Sequence, residues 1–441
     1  MINLYSLNFV SEKRLTSPLY GSYREGLLLP KTLLDMPNLR HLSLSHFYIN
    51  IPVWLTDINF LESLEIEEVF SVNELLPHLW KLTNLRKLRL AYVEPTELPL
   101  SLVKLKYLEE LNIDGADFGE FPKVIAKLSS LKSFSYEFCD CALTEVFNTL
   151  SKLPKLKKLR LTHYDDENKD YLPESFCHFQ AIEELHFYDW NNLQELPECI
   201  GDMSNLRIID LANIDEQHGR TASIHKLPDS LGNLCNLEKL DVFGLQDLKQ
   251  FPSSFARLSN LKWLDIMNSG IDELQLTPDQ WNNLEILRLH GTVPDLRKCA
   301  NLKEFAWFKN MVRIDSNGVP SGVNEVINLP IPPLYKLESL SIMGGMLEDN
   351  NFLTFLPNLR TLKLSCDFKN FPEGFEKLSK IEDIYIWGAK SLEVLPDYLG
   401  HLPSLKRLSL TGCGVKYLPK SLQKRKDLHI EVRYCPTQLS G

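Results

Sequence analysis

In LRKLRL, Leu85 to Leu90, Leu88 and Leu90 fall on one face of an extended chain, and Lys87 and Arg89 fall on the other. This L-x-x-L-x-L pattern, with other apolar residues allowed at the leucine positions, recurs along the whole sequence. It starts at Leu4, Leu39, Leu61, Leu85, Leu108, Leu131, Leu156, Ile182, Leu206, Leu237, Leu261, Leu284, Leu302, Leu337, Leu359, Ile381, Leu405 and, imperfectly, Leu428. The mean spacing is about 25 residues, within the range of short stacking repeats. Each copy predicts one short parallel strand whose leucines join a shared column. No single copy closes its own core, so stability is a sum over neighbours.

A second motif lies between the strands: apolar-Pro-x-x-apolar-x-x-apolar. Examples are LPLSLVKL from Leu98, FPKVIAKL from Phe121, LPECIGDM from Leu196, LPDSLGNL from Leu227, FPSSFARL from Phe251, FPEGFEKL from Phe371 and LPDYLGHL from Leu395. Proline suits the first turn of a helical or 3₁₀ segment, where its missing N–H is not needed. Apolar residues three apart then face back onto the strand column. Strand and proline segment together predict an α/β leucine-rich-repeat solenoid, a curved horseshoe. About eighteen parallel strands would line the concave face, with helical, 3₁₀ or irregular segments on the convex face. The expected organisation is a single solenoid over 1–441 that starts within a repeat. The period breaks near 10–28, 212–226 and 309–335, which are rich in turn formers and charge and read as loops. Each is either a tolerated insertion or a supplement to the binding face.

Composition narrows the setting. With 48 basic and 58 acidic residues, the net charge is −10, which argues against general affinity for nucleic acid or acidic membranes. No apolar run is long enough to span a bilayer, and the N-terminus lacks a secretory signal pattern. The 9 cysteines are odd in number and scattered, and no Asn-x-Ser/Thr acceptor occurs. The cysteines therefore read as reduced single thiols, and the chain as cytoplasmic, with the nucleus as a second location.

No phosphate-binding glycine loop, dinucleotide fingerprint, nucleophile elbow or zinc-protease motif occurs. Cys139 and Cys141 lack a second ligand pair at zinc spacing. Cys139, Cys413 and Cys435 stand three residues past their strand motifs, where a small polar side chain serves the turn backbone. Acidic residues such as Asp165 and Asp166 sit in a charged loop. No catalytic residue, metal ligand or cofactor-binding residue is assigned, and the chain reads as a non-enzyme.

Function then belongs on the concave face, where side chains are free of packing duties. The early strands alternate in charge: Glu65 and Glu67, then Lys87 and Arg89, then Glu110 and Asp114, later Lys158 and Arg160. These basic pairs are candidate patches for a partner or for another part of the same polypeptide. Asp210, Asp241 and Asp265 occupy the middle motif position on three successive strands. Carboxylates at strand spacing repel, so the row is either solvated charge or a dock for a basic segment. One position past the last leucine come Tyr188, Phe243, Met267, Phe308, Met343 and Trp387, with Trp263 alongside. Arg288 and Tyr385 complete the candidate face. Apolar residues that alternate away from the leucines form either an interface core or a stripe covered by the irregular loops.

LPECIGDMSNLRIIDL (Leu196 to Leu211), LPDYLGHLPSLKRLSL (Leu395 to Leu410) and the late strand ending in Cys435-Pro436 carry a resemblance. In these stretches the chain resembles the leucine-rich-repeat region of plant intracellular nucleotide-binding disease-resistance (NB-LRR) proteins. The G-x-I-P pattern of plant cell-surface receptors is missing, and Ile214, Leu245, Ala389 and Cys413 replace the regular strand-exit asparagine. The resemblance implies innate immunity in plant defence. The repeats would sense a pathogen effector or a guarded host protein and hold a nucleotide-binding domain of the same polypeptide inactive. ADP or ATP would belong to that upstream domain, with no cofactor in this chain. Because the repeats begin at Leu4, with an unprotected edge strand, the chain is expected to be a fragment, a truncated gene product or a chain continued upstream. The alternatives are a free-standing cytosolic scaffold for small GTPases or phosphatases and a substrate adaptor of a ubiquitin ligase.

Overall fold

A computed structural model describes residues 5–10, 29–46, 51–69, 72–93, 97–116, 118, 120–137, 141–162, 171–190, 193–213, 224–274, 282–309, 313–314, 320–321, 326–327, 331–347 and 352–436. Its contacts divide the chain into two units, Met1–Asn236 and Leu237–Gly441. Most of the three insertions expected near 10–28, 212–226 and 309–335 lies outside the described residues, as do Cys139, Asp165 and Asp166.

In the first unit the repeat strands are Ser6–Val10, His41–Ser45, Ser63–Glu67, Lys87–Ala91, Glu110–Asp114, Ser133–Glu137, Lys158–Thr162, Glu184–Tyr188 and Ile208–Asp210. Each pairs in parallel with the next, in unshifted register, as Leu64 with Leu88 and Leu88 with Leu111. The second unit repeats the plan with Lys239–Asp241, Trp263–Asp265, Ile286–His290, Glu304–Phe308, Ser339–Leu347, Thr361–Asp367, Asp383–Trp387, Arg407–Thr411 and His429–Arg433. These too pair consecutively and in parallel. All eighteen motifs thus carry a strand. It opens at the third motif position, except at Leu428, where it opens at the second.

Period 2 decides the core. Leu88 and Leu90 are fully buried, whereas Lys87 and Arg89 are half-buried on the other face. In the middle of the first unit aromatics replace leucines. Phe134, Phe147, Phe176 and Phe187 are buried, and Phe187 stacks on Trp190 at 4.6 Å. Here the convex segment is a true α-helix, Leu143–Leu150, with Phe147 edge-on to Phe176 at 5.7 Å.

Elsewhere most of the proline motifs form five-residue 3₁₀ turns, such as Leu100–Lys104, Glu198–Asp202 and Asp397–His401, while FPEGFEKL gives the shorter Phe375–Lys377 and Pro419 precedes a short α-helix, Lys420–Gln423. Proline sits one place earlier than a first-turn position. Pro99, Pro197 and Pro396 are extended cap residues, and their carbonyls accept the first N–H of the turn, from Leu102, Ile200 and Leu399. The motif therefore uses proline's fixed φ and its acceptor more than its missing donor.

Successive convex turns approach closely. A Cβ on Gly201 would stand 2.5 Å from the Ser230 carbonyl oxygen. Gly201→Ala should therefore lower the stability of the first unit by about 1–3 kcal/mol, the range for overpacking. An unchanged urea midpoint would show that these turns do not touch.

Asparagines just ahead of the motif tie repeats together. Asn84, Asn205 and Asn283 donate from Nδ2 to the Asn59, Gln180 and Ser259 carbonyls, at 2.9–3.0 Å. Cys413 and Cys435 serve the turn backbone as expected: Cys435 Sγ accepts from the Cys413 N–H at 3.2 Å. Two cysteines depart from the reading as single thiols. Cys177 and Cys199, on convex turns of adjacent repeats, form a disulfide with Cα atoms 5.5 Å apart. In the third insertion, Arg313–Ile314 pairs antiparallel with Pro320–Ser321, and Val326–Ile327 runs beside Met346–Leu347.

Candidate partner-binding face

The side chains opposite the leucines form rows that cross successive strands, each unit carrying its own. In the first unit the expected charge alternation is a set of cross-strand ion pairs. Lys87 Nζ lies 3.2 Å from Glu65 and 3.5 Å from Glu110. Arg89 reaches Glu67 at 3.5 Å and Asp114 at 3.1 Å. Lys158 meets Glu184 at 2.7 Å, and Arg160 meets Glu137 at 3.8 Å. Register explains this: Glu110 stands directly across from Lys87 and Glu184 across from Lys158, whereas Glu65, Glu67, Asp114 and Glu137 are diagonal neighbours of their cations on the same face. Burial and the Glu137 charge push the Asp114 carboxyl up to about 6, against the pull of Arg89. Burial also acts on Glu184, but hydrogen bonds from Lys158 and His186 hold it below its ordinary value.

Tyr188 and Asp210 end this network. The Arg160 guanidinium lies 5.7 Å from the Tyr188 ring centre, and the Tyr188 hydroxyl donates to Asp210 Oδ2 at 3.3 Å. His186 bridges Tyr188 and Glu184, with Nδ1 3.1 Å from the Tyr188 oxygen and Nε2 3.3 Å from Glu184 Oε2. His186 is buried; it stands at the middle position of its strand, which the sequence pattern alone did not mark as a candidate.

The three aspartates share a local role. Asp210, Asp241 and Asp265 are 5%, 8% and 3% exposed, so the row is not solvated charge. Each Oδ1 accepts the N–H two residues on, from Ala212 at 3.4 Å, Phe243 at 3.2 Å and Met267 at 3.0 Å. That bond turns the chain, and these are the strands that stop after three residues. In the second unit Lys239 Nζ stands 3.3 Å from Asp241, and Arg288 Nη1 stands 3.6 Å from Asp265. Arg288 also grips Glu304 at 2.6 Å. Repulsion between Asp241 and Asp265 is thus eased from within the second unit.

Burial, followed by the Asp241 charge, pushes Asp265 up to about 7. Below about pH 4 the carboxyl is protonated in both the folded and unfolded chains. Between about 4 and 7 only the unfolded chain releases the proton, so stability falls as pH rises through that window and is level above it. Asp265→Asn keeps an acceptor for Met267 and removes the charge. Its gain over wild type should be near zero at pH 4 and reach about 4 kcal/mol at pH 8, the pull of Arg288 being already contained in the raised value. An equal difference at both pH values, in urea unfolding, would contradict this.

The apolar stripe resolves into groups, all half-buried. Trp263 lies between cations, with Lys239 Nζ at 4.6 Å and Arg288 Cζ at 4.9 Å from its ring. Phe243 and Met267 stand in the turns that the aspartates create. Phe308 pairs directly with Met343 across adjacent strands. Tyr385 and Trp387 stack, with ring centres 5.6 Å apart and planes 8° from parallel. Arg407 donates to the Tyr385 hydroxyl at 2.7 Å. Lys363 and Arg407, which flank this pair, are further residues the sequence reading did not single out.

Cross-strand leucine columns, proline-capped turns and asparagine ties recur repeat after repeat, and a profile described as a leucine-rich repeat region matches residues 71–215 and 194–435. The chain belongs to the leucine-rich-repeat family. Over 270 residues it is 29% identical to late blight resistance protein R1-A of Solanum demissum, covering 60% of this chain and 18% of that protein. It is 26% identical to TMV resistance protein N of Nicotiana glutinosa over 267 residues, 57% of this chain and 21% of that one. The chain therefore spans about a fifth of the length of these resistance proteins. A leucine-rich-repeat protein of Leptospira interrogans has the same fold, with a TM-score of 0.58 at 18% identity, covering 91% of this chain and 97% of that one. Among the described residues no helix is long and apolar enough to cross a membrane.

Proposed function

We propose that this leucine-rich-repeat region recognises a protein partner through the rows opposite its leucines, as the sensing part of a plant intracellular immune receptor. The partner class is a pathogen effector or a guarded host protein, and the output is control of a nucleotide-binding switch carried by the same polypeptide. ADP or ATP belongs to that switch, and the working location is the cytoplasm, with the nucleus as a second site. One observation carries the reading. Phe243, Trp263, Met267, Phe308, Met343, Tyr385 and Trp387 are held on strands or strand turns of the second unit, outside its leucine core and half-exposed. Large apolar side chains fixed among charges are what the centre of an interface needs. Similarity to resistance proteins supplies the biological class.

Site-specific photo-crosslinking in plant cells challenged with the pathogen tests it. A crosslinker at Trp387 or Phe243 should capture a defined protein, and one at the convex, exposed Leu100 should not. Capture from Leu100 alone would move the interface to the other face and overturn the reading.

A further inference from the structure

The second unit carries a half-open basic surface cavity of about 220 Å³, lined by Lys303, Lys336, Glu338, Asn358, Arg360 and Lys380 among others. It lies along the residues that flank the first motif leucine; at the position just before that leucine half of the repeats place asparagine. Lys336 and Lys380 replace asparagine there, and each reaches back to the asparagine of the preceding repeat. Lys336 Nζ donates to Asn301 Oδ1 at 2.6 Å, and Lys380 Nζ donates to Asn358 Oδ1 at 2.6 Å. Those asparagines are themselves fixed, since Asn358 Nδ2 donates to the Tyr335 carbonyl at 2.5 Å and Asn301 Nδ2 to the Asn282 carbonyl. Both ammonium groups are thus positioned by neutral oxygens.

The charge balance is uneven. Lys303 pairs with Glu285 at 2.8 Å, Arg360 with Glu382 at 2.5 Å and Glu338 at 4.0 Å, and Lys406 also pairs with Glu382. Five cations therefore meet three carboxylates, and 5 − 3 leaves two positive charges. Among the described residues the two without a carboxylate partner are Lys336 and Lys380, in a chain whose net charge is −10. Oriented lysines beside an arginine suit a phosphate oxygen cluster. The volume, below the roughly 300–1,000 Å³ of a drug-sized pocket, matches a small group.

We propose that this edge cavity binds a dianionic phosphate group, free or as a small phosphomonoester, with Lys336 and Lys380 as its principal ligands. The site stands independently of the partner-binding reading. Its test is calorimetric titration of the whole chain with inorganic phosphate and with glycerol phosphate, at constant ionic strength in chloride. Wild type should bind one equivalent saturably. The Lys336→Asn/Lys380→Asn variant restores the residue of neighbouring repeats and should bind at least about tenfold more weakly, since two charge-assisted hydrogen bonds are lost. Thermal unfolding without phosphate should match wild type, showing that the variant folds. Tighter binding of glycerol phosphate would assign the ester as the source, and equal binding would assign free phosphate. No saturable heat above chloride, or undiminished binding by a folded double variant, would overturn the site.

Discussion

Phe147→Ala should destabilise the first unit by about 3–5 kcal/mol, the range for removing a large buried aromatic. Phe147 is fully buried on the α-helix Leu143–Leu150, and it is the residue through which that helix meets the neighbouring repeat. Its ring lies 5.7 Å from Phe176, 6.1 Å from Phe179, 6.3 Å from Phe187 and 6.4 Å from Trp190. Truncation removes contact from four rings at once, and the close-packed surroundings relax only in part. Because each repeat is stabilised by its neighbours, the loss should appear first as local opening around residues 143–190. Fluorescence-detected urea unfolding and amide exchange over that stretch would measure it, and Phe147→Leu should recover most of the loss. A change under about 1 kcal/mol, far below that range, would mean that the helix is not docked on these rings.

The paired substitution Phe243→Ala/Trp387→Ala should weaken partner binding by about a hundredfold or more, as expected when two central aromatic anchors are removed. The effect on folding should be small. Both side chains are half-buried and lie opposite the leucine columns, and Trp387 has Tyr385 stacked on it at 5.6 Å. Loss of that stack amounts to roughly 0.5–1.5 kcal/mol. Trp387→Phe, which keeps a ring against Tyr385, should retain most of the binding. The partner captured by crosslinking is the probe, and surface plasmon resonance with wild type and variant is the readout. Equal affinity in a folded variant would place the interface elsewhere.

The repeats were fully legible in the sequence because one short pattern dictates strand, face and register together. Leu88, Leu264 and Ile384 are buried for the same reason that Lys87, Trp263 and Asp383 are not. Side-chain roles within a row were less legible, because they depend on what stands across the strand. Arg89 looks like a free basic residue until Glu67 and Asp114 are set beside it. Asp210, Asp241 and Asp265 read as solvated charge or a docking row; burial removes the first reading, and each also turns its own backbone. The signal was present as an aspartate at the middle motif position followed by a turn, a pattern that favours local capping. The disulfide Cys177–Cys199 joins cysteines from different convex turns, which spacing alone does not pair. The lysines at 336 and 380 became visible only when aligned with the asparagines of neighbouring repeats.

The leucine side of each strand holds the fold, and the proposed function gives the opposite side to another protein. Equilibrium unfolding of Leu264→Ala beside Phe243→Ala/Trp387→Ala tests this most directly, since Leu264 is fully buried on a strand of the same unit. Leu264→Ala should lose about 2–5 kcal/mol, whereas the aromatic pair should stay within about 1.5 kcal/mol of wild type. A collapsed aromatic variant beside a near-neutral Leu264→Ala would contradict the account, because the two faces would then have exchanged roles.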